Sequence, residues 1–289
     1  MKLYIVDAFT TQRFSGNQAG VALLSIEEPE LTDAFCQALA AELRHSETAF
    51  VKRLGPDRFR LRYFTPEGEV DLCGHATIAA FTVLREADGL PVGGCTALTR
   101  AGALAIQVEE EAVWMDMAPP RVLRALTGRE AAAVYRAYGL PEECRPVALP
   151  VQVVSAGLAD VLLPVDSGET LAAAIQDEAE VKRLSEELDV VGVHMFCRTP
   201  GTRAVALCRN FAPRYAIPEE AATGTSNGAL VYYLYRHGLV ELDKVYTVVQ
   251  GEKMGRPSMI SAQVILKDSQ PFVKVGGPAV TLVRGEIEL

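Results

Sequence analysis

One helix-start pattern occurs twice in the sequence, and this duplication constrains the fold more than any other feature. In the first copy, Phe64-Thr65-Pro66 leads through an acidic stretch to Cys73-Gly74-His75-Ala76-Thr77 and an apolar run. In the second, Phe211-Ala212-Pro213 leads through two glutamates to Thr223-Gly224-Thr225-Ser226-Asn227-Gly228 and another apolar run. Each copy ends at a predicted helix N-terminus, where backbone N–H groups and the helix dipole can bind an anion. We therefore predict two pseudo-symmetric halves that bind a small acidic molecule between them.

Composition limits the class of protein. With 289 residues, 49% of them hydrophobic and 22% charged, the chain is long enough for two globular domains. A net charge of -9 without a basic stripe argues against a nucleic-acid partner. No apolar run has membrane-spanning length, and Met1–Asp7 turns polar too soon for a signal peptide. The six cysteines have no framework spacing, so we expect reduced thiols and a cytoplasmic location.

Strand and helix patterns predict an α+β fold in which each half is a curved sheet around one central helix. Ala118-Pro119-Pro120 is the best linker signal. The predicted domains are residues 1–119 and 120–278, and the last strand, residues 279–289, is a candidate to complete the first domain. Other predictions are a helix from an N-cap at Thr32 to about residue 44, helical segments over 170–188, and a strand over 98–108.

Glu47 is the first candidate for proton transfer. It stands between a predicted helix and a predicted strand and is followed by Thr48-Ala49-Phe50. A carboxyl group against apolar surface has its charged form disfavoured, which raises its pKa towards the range of a general acid/base. The alternative is a surface glutamate at a helix end, and spacing alone does not decide between the two.

The first helix start offers three further candidates. Gly74 allows a ligand to approach the backbone closely, and His75 can bind a carboxylate or relay a proton. Cys73 is a candidate thiol base, because a helix N-terminus favours the thiolate. The alternatives are a locally capping histidine and a buried cysteine with no reactive role.

The second helix start offers Glu220, Gly224 and Thr225. Gly224 and Thr225 can donate backbone N–H groups and a hydroxyl to a carboxylate, and Glu220 precedes the start of this pattern at Thr223 by three residues. The alternative for Glu220 is a favourable interaction with the helix dipole alone. A zinc site built from Cys73, His75, His194 and Cys197 is chemically possible but disfavoured, because strand alternation separates positions 194 and 197. We predict no metal, and the absence of nucleotide-binding motifs gives no support for a cofactor.

Motifs along almost the whole chain resemble a known family, the PhzF-like isomerases of phenazine biosynthesis, which have the diaminopimelate-epimerase-like fold. The motifs that carry the resemblance are Val6-Asp7-Ala8-Phe9, Phe14-x-Gly16-Asn17, Ser46-Glu47-Thr48-Ala49-Phe50, Phe64-Thr65-Pro66, Cys73-Gly74-His75-Ala76-Thr77, Glu220-Ala221-Ala222-Thr223-Gly224, Gln250-Gly251 and Gly255-Arg256-Pro257-Ser258.

The resemblance implies two similar domains, each a rolled, mostly antiparallel sheet around a central helix, with the active site in the cleft, no cofactor and a homodimer. It implies that Glu47 is the acid/base and that His75 and Glu220 also belong to the catalytic set. Ser46, Cys73, Gly74, Gly224 and Thr225 are the expected substrate contacts. The family usually has Asp where this chain has Glu220 and Ser where it has Thr225, which makes a phenazine precursor less certain as the substrate.

Three functions follow from these residues. The first is a cofactor-independent isomerase in which Glu47 moves a proton on a small carboxylate. The second is an amino-acid epimerase or racemase that uses Cys73, although the corresponding position in the second half is Thr223 and the thiol pair is broken. The third is a non-catalytic small-molecule binding protein on the same scaffold.

Overall fold

The computed structural model describes residues 1–288, which form eighteen strands and six α-helices. The strands are β1 (Lys2–Ala8), β2 (Asn17–Leu24), β3 (Glu47–Arg53), β4 (Arg58–Phe64), β5 (Glu69–Val70), β6 (Gly93–Thr99), β7 (Gly102–Val108), β8 (Val113–Asp116), β9 (Arg121–Ala125), β10 (Gln152–Ser155), β11 (Ala159–Val165), β12 (Gly192–Arg198), β13 (Ala204–Ala212), β14 (Ile217–Glu220), β15 (Val245–Gln250), β16 (Ser258–Lys267), β17 (Gln270–Gly277) and β18 (Ala279–Glu286). The helices are α1 (Asp33–Leu43), α2 (Gly74–Asp88), α3 (Gly128–Arg136), α4 (Gly168–Ala173), α5 (Glu178–Glu187) and α6 (Gly224–Arg236).

The chain divides into two compact units. The first unit contains Met1–Asp116 and Gly276–Leu289, and the second contains Met117–Val275. The predicted boundary at residues 119/120 lies close to this division, and the last strand, β18, pairs with β1 inside the first unit.

The first unit is a mostly antiparallel sheet that curves around α2. Its strand order is β18-β1-β2-β3-β4-β6-β7-β8, and only the β2–β3 and β4–β6 pairs are parallel. Helices α1 and α2 make these two crossovers, as parallel neighbours require. Because α2 contacts β18 and β1 near one end of this order and β7 and β8 at the other, the sheet wraps around the helix.

The second unit repeats this pattern of pairing. Its strand order is β9-β10-β11-β12-β13-β15-β16, with β11–β12 and β13–β15 as the parallel pairs. Helices α4 and α5 make the first crossover and α6 makes the second, and α6 packs on β10, β11 and β16. The two units therefore share one topology, in which α6 and β14 correspond to α2 and β5.

The two central helices are buried on all sides. In α2, every residue from His75 to Leu84 is buried, and in α6 every residue from Gly224 to Leu234 is buried. Each helix lacks a side-chain cap at its N-cap residue, which is Cys73 in α2 and Thr223 in α6. No helix within residues 1–288 combines the length and the apolar character that crossing a membrane requires.

Most predicted elements are found, and the differences have local causes. Helix α1 begins after the predicted cap, Thr32, whose hydroxyl accepts the Phe35 N–H. The helical stretch over 170–188 is two helices, because the Ile175 and Asp177 N–H groups bond to carbonyls at the end of α3 instead of continuing the helix. The strand predicted over 98–108 is a hairpin of β6 and β7 that turns before Gly102, which has a φ of 111°. Strand β17 was not predicted.

We predict that Gly192→Ala lowers the free energy of unfolding. A Cβ atom on Gly192 would lie 1.9 Å from the Phe211 carbonyl oxygen, so the paired strands β12 and β13 would have to separate. Overpacking of this kind should cost at least about 2 kcal/mol in a urea titration. The control is Gly94→Ala, where the nearest atom to the new Cβ is 3.9 Å away. Equal effects of the two substitutions would contradict the steric argument.

Candidate active site

The strand pairing of the first unit brings the main candidate residues together. Strand β3 begins at Glu47, directly after Ser46, and pairs in parallel with β2, so that Ala19 lies opposite Glu47. Asn17 therefore lies at the same end of the neighbouring strand. Helix α2 begins at Gly74 after the short strand β5, which places Cys73 and His75 beside this end of the sheet.

His75 is the centre of the group. Its Nδ1 atom lies 3.2 Å from Asn17 Nδ2 and 3.3 Å from Cys73 Sγ. Its Nε2 atom lies 3.3 Å from both Ser46 Oγ and Glu47 Oε2. When Asn17 donates to Nδ1, the neutral ring carries its proton on Nε2, which faces Ser46 and Glu47. The histidine can therefore orient these two side chains or exchange a proton with the carboxyl group.

Glu47 is the buried acid of the group, with only 8% of its surface exposed. Burial raises the pKa of its carboxyl group, while hydrogen bonds with Ser46 and Cys73 oppose this rise. Its Oε2 atom makes no hydrogen bond within the described residues, although His75 Nε2 is 3.3 Å away. A buried carboxyl oxygen in this condition suits a group that must accept and release a proton.

Glu220 and Gly224 lie close together in the second unit. Thr223 Oγ1 donates to Glu220 Oε2 at 2.5 Å, which holds the carboxylate beside the first turn of α6. Gly224 opens the helix and Thr225 follows it, and both are buried. The sequence-predicted residues of this half therefore surround one helix N-terminus, as Cys73, Gly74 and His75 do in the first unit.

Gln250 holds this second helix start in place. Its Nε2 atom donates to the Glu220 carbonyl at 2.7 Å and to Thr223 Oγ1 at 3.1 Å. Its Oε1 atom accepts the Thr223 N–H at 3.2 Å and Asn227 Nδ2 at 2.7 Å. All four hydrogen-bonding positions of the buried amide are thus used on one segment. Because Thr223 Oγ1 accepts from Gln250, its own proton is free to go to Glu220.

A separate network of buried hydrogen bonds involves Ser226 of α6. Ser226 Oγ donates to Asp160 Oδ2 at 2.5 Å, and Asn210 Nδ2 lies 3.1 Å from Ser226 Oγ and 3.2 Å from His194 Nδ1. Burial lowers the pKa of His194 to about 3, so its ring is neutral. His194 and Cys197 do not belong to a metal-binding group: within residues 1–288, the one His/Cys/carboxylate set close enough to share an ion is Glu47, Cys73 and His75.

The sequence-based prediction of the site missed two residues. Asn17 and Gln250 both occur in motifs singled out above, but neither was given a role in the site. Asn17 follows Gly16, whose φ of 69° marks the turn into β2. That turn and the motif were the available signals for Asn17, whereas the role of Gln250 depends on the pairing of β13 with β15.

Comparison with known proteins identifies the family. The family model of phenazine biosynthesis-like proteins, PhzC-PhzF, matches residues 6–285. The chain belongs to this family. It is 34% identical to the uncharacterized isomerase YddE of Escherichia coli over 295 residues, covering 99% of this chain and 97% of that one. The crystal structure of a PhzF-family protein from Bacillus anthracis superposes with a TM-score of 0.89 at 25% identity, covering 100% of this chain and 99% of that one.

A more distant likeness concerns the fold alone. A probable proline racemase from Agrobacterium radiobacter superposes with a TM-score of 0.66 at 16% identity, covering 100% of this chain and 93% of that one. Together with the PhzF-family structure, it confirms the predicted diaminopimelate-epimerase-like fold. The chain is an isomerase, as its curated relatives are named, and this class is as predicted.

We predict that Glu47→Gln changes how stability depends on pH. The folded-state pKa of Glu47 is raised above its ordinary value of 4.5, so the acid is best tolerated in the fold when it is protonated. Its contribution is fully present below pH 4.5 and is lost as pH rises through the raised pKa. Urea titrations should therefore show the variant gaining stability relative to wild type as pH rises from 4 to 8. A constant difference would contradict the raised pKa.

We also predict that Gln250→Glu destabilises the second unit. The substitution keeps the shape but replaces the two N–H donors with an oxygen that faces the Glu220 carbonyl and the Thr223 hydroxyl. The unfolding free energy should fall by about 2–4 kcal/mol at neutral pH. The matched control is Gln107→Glu, at an exposed position, which should stay within about 0.5 kcal/mol of wild type.

Proposed function

We propose that the protein is a cofactor-independent isomerase that moves a proton on a small carboxylate substrate, with Glu47 as the acid/base. The observation that carries the proposal is the state of Glu47: a buried carboxyl group whose pKa is raised, 3.3 Å from His75 Nε2. A general base works best when its pKa lies near the working pH. Burial shifts the pKa of Glu47 in this direction.

The proposed reaction has two proton steps. Ionised Glu47 removes a proton from a carbon next to a carbon–carbon double bond of the acid, and the electron pair left on that carbon spreads over this double bond. The neutral Glu47 carboxyl then returns the proton to a different carbon, so that the double bond shifts and no atom is gained or lost. Ser46 and His75 would orient Glu47 and the substrate during both steps.

The second helix start is proposed as an anion-binding group of the second unit. The N-cap Thr223 does not cap α6 with its side chain, and the buried Gly224 and Thr225 offer N–H groups and a hydroxyl. In the proposal Gly74 has the same role in the first unit. Glu220, which Thr223 holds in place, would be a second acid or a substrate anchor.

Three accompanying expectations stay predictions. The proposal needs no cofactor, since the proton is carried by a side chain. The family resemblance predicts a homodimer. The cytoplasmic location rests on the cysteines, all six of which are buried free thiols.

An epimerase or racemase that uses Cys73 is the second candidate. Cys73 Sγ lies 3.3 Å from His75 Nδ1, and in this candidate the nitrogen accepts the thiol proton in place of the Asn17 hydrogen bond and leaves a reactive thiolate. The second unit argues for a less symmetric mechanism, because the N-cap equivalent to Cys73 is Thr223. A two-thiol reaction would therefore lack its second thiol.

Deuterium uptake from heavy water tests the lead proposal. Small unsaturated acids, together with amino and hydroxy acids, are incubated with the protein in heavy water, and carbon-bound deuterium is measured by mass spectrometry. For any acid that wild type labels, Glu47→Gln should label it about 10²–10⁴-fold more slowly, because a general base has been removed. Glu67→Gln, at an exposed position, is the matched control and should label at the wild-type rate.

The same assay separates the two candidates. If Cys73→Ser abolishes labelling while Glu47→Gln retains it, the thiol is the base and the epimerase reading replaces the isomerase. Full labelling by Glu47→Gln would in any case remove the acid/base role from that residue.

A further inference from the structure

The group around His75 also has the donors of a metal site. Glu47 offers a carboxylate oxygen, Cys73 a thiol sulfur and His75 an imidazole nitrogen, and one such atom from each residue lies within 4.8 Å of the other two. All three residues are buried, with at most 8% of their surface exposed. They come from two elements fixed by the sheet and the buried helix α2, so the arrangement does not depend on a surface loop.

The distances approach those of a tetrahedral zinc site. Zinc bonds of about 2.0–2.3 Å place neighbouring ligand atoms about 3.3–3.6 Å apart. His75 Nε2 lies 3.3 Å from Glu47 Oε2 and 3.9 Å from Cys73 Sγ. Cys73 Sγ lies nearer to His75 Nδ1, at 3.3 Å, so the thiol would have to move towards Nε2 on binding. With three protein ligands the fourth position would be left open, as in catalytic zinc sites.

The chemistry of the three donors selects the ion. A thiolate and an imidazole favour zinc or a similarly soft divalent ion over magnesium and calcium, which prefer oxygen ligands. A thiolate and a carboxylate together neutralise two positive charges inside the buried group. Glu47 Oε2, which has no hydrogen-bond partner among the described residues, would be satisfied by a coordinate bond to the metal.

We propose that Glu47, Cys73 and His75 form a binding site for one zinc ion, which acts as an inhibitor of the enzyme and not as its cofactor. Binding needs only these three side chains and is independent of the reaction. The inhibition rests on the proposed function, since a carboxylate bound to a metal cannot accept a proton from carbon. Zinc on His75 Nε2 would require the ring proton on Nδ1, so the Asn17 amide, whose Nδ2 atom now lies 3.2 Å from Nδ1, would have to turn its oxygen to this nitrogen to act as the outer partner of the ligand.

Cobalt titration of the metal-free protein, without substrate, tests the binding. Cobalt(II) replaces zinc in such sites, and thiolate ligation gives a charge-transfer band in the near ultraviolet. We expect this band to saturate at one equivalent of cobalt and to disappear when one equivalent of zinc is added. Absence of the band, or a band that zinc does not displace, would overturn the proposal.

Variants assign the ligands. Cys73→Ser should abolish the band and His75→Gln should weaken zinc binding at least about 10-fold, as measured by competition with a chromogenic chelator. Cys95→Ser, a buried cysteine outside the group, is the matched control and should bind like wild type. Circular dichroism confirms that each variant is folded. A Cys73→Ser variant that is folded and keeps the band would also overturn the proposal.

Inhibition is read separately in the deuterium assay. Zinc should slow labelling by wild type with the same concentration dependence as its binding, and a chelator should restore the rate. Zinc binding with Glu47-independent labelling would leave the metal site intact while contradicting the proposed function. If Glu47→Gln loses labelling but wild type binds no zinc, the proposed function stands and the metal site is overturned.

Discussion

The proposed proton transfer depends on the exclusion of water from one carboxyl group, that of Glu47. A glutamate at its ordinary pKa of 4.5 is a weak base, and burial raises the pKa of Glu47 above that value. The burial is possible because β3 begins at this residue, beside the start of a helix that is itself enclosed by the sheet. The wrapped sheet therefore does more than stabilise the unit: it sets the basicity of the candidate catalyst.

The two units share a topology but not a chemistry. Phe64 pairs with Thr48 and Phe211 pairs with Val193, so the position equivalent to Glu47 is Gly192. No side chain fits there, because a Cβ would meet the Phe211 carbonyl. The second unit instead places a buried acid, Asp160, on the neighbouring strand, where Ser226 donates to it. A symmetric two-base reaction is hard to build on this arrangement, whereas a reaction with a single carrier of the proton is compatible with it.

The sequence predicted what local chemistry and repetition determine. Thr32 caps α1, and the glycines at 74 and 224 open the two central helices, because N-cap and helix-start preferences act within a few residues. Contacts between segments far apart in the chain could not be predicted from the sequence. The hydrogen bond from the Ile175 N–H to the Tyr138 carbonyl divides a helical stretch in two, and Asn17 reaches His75 only through the parallel pairing of β2 and β3.

The properties that make a good proton carrier also make a good metal ligand. Glu47 has an oxygen without a hydrogen-bond partner in the described chain, and the thiol and imidazole beside it are both strong donors to zinc. A proton and a metal ion would compete for the same lone pair. The proposed Glu47 reaction does not use the Cys73 thiol as a base, whereas a soft metal ion would bind to this thiol more strongly than to the other two groups. Substitution of Cys73 should therefore remove metal binding while leaving the proposed proton transfer by Glu47 in place.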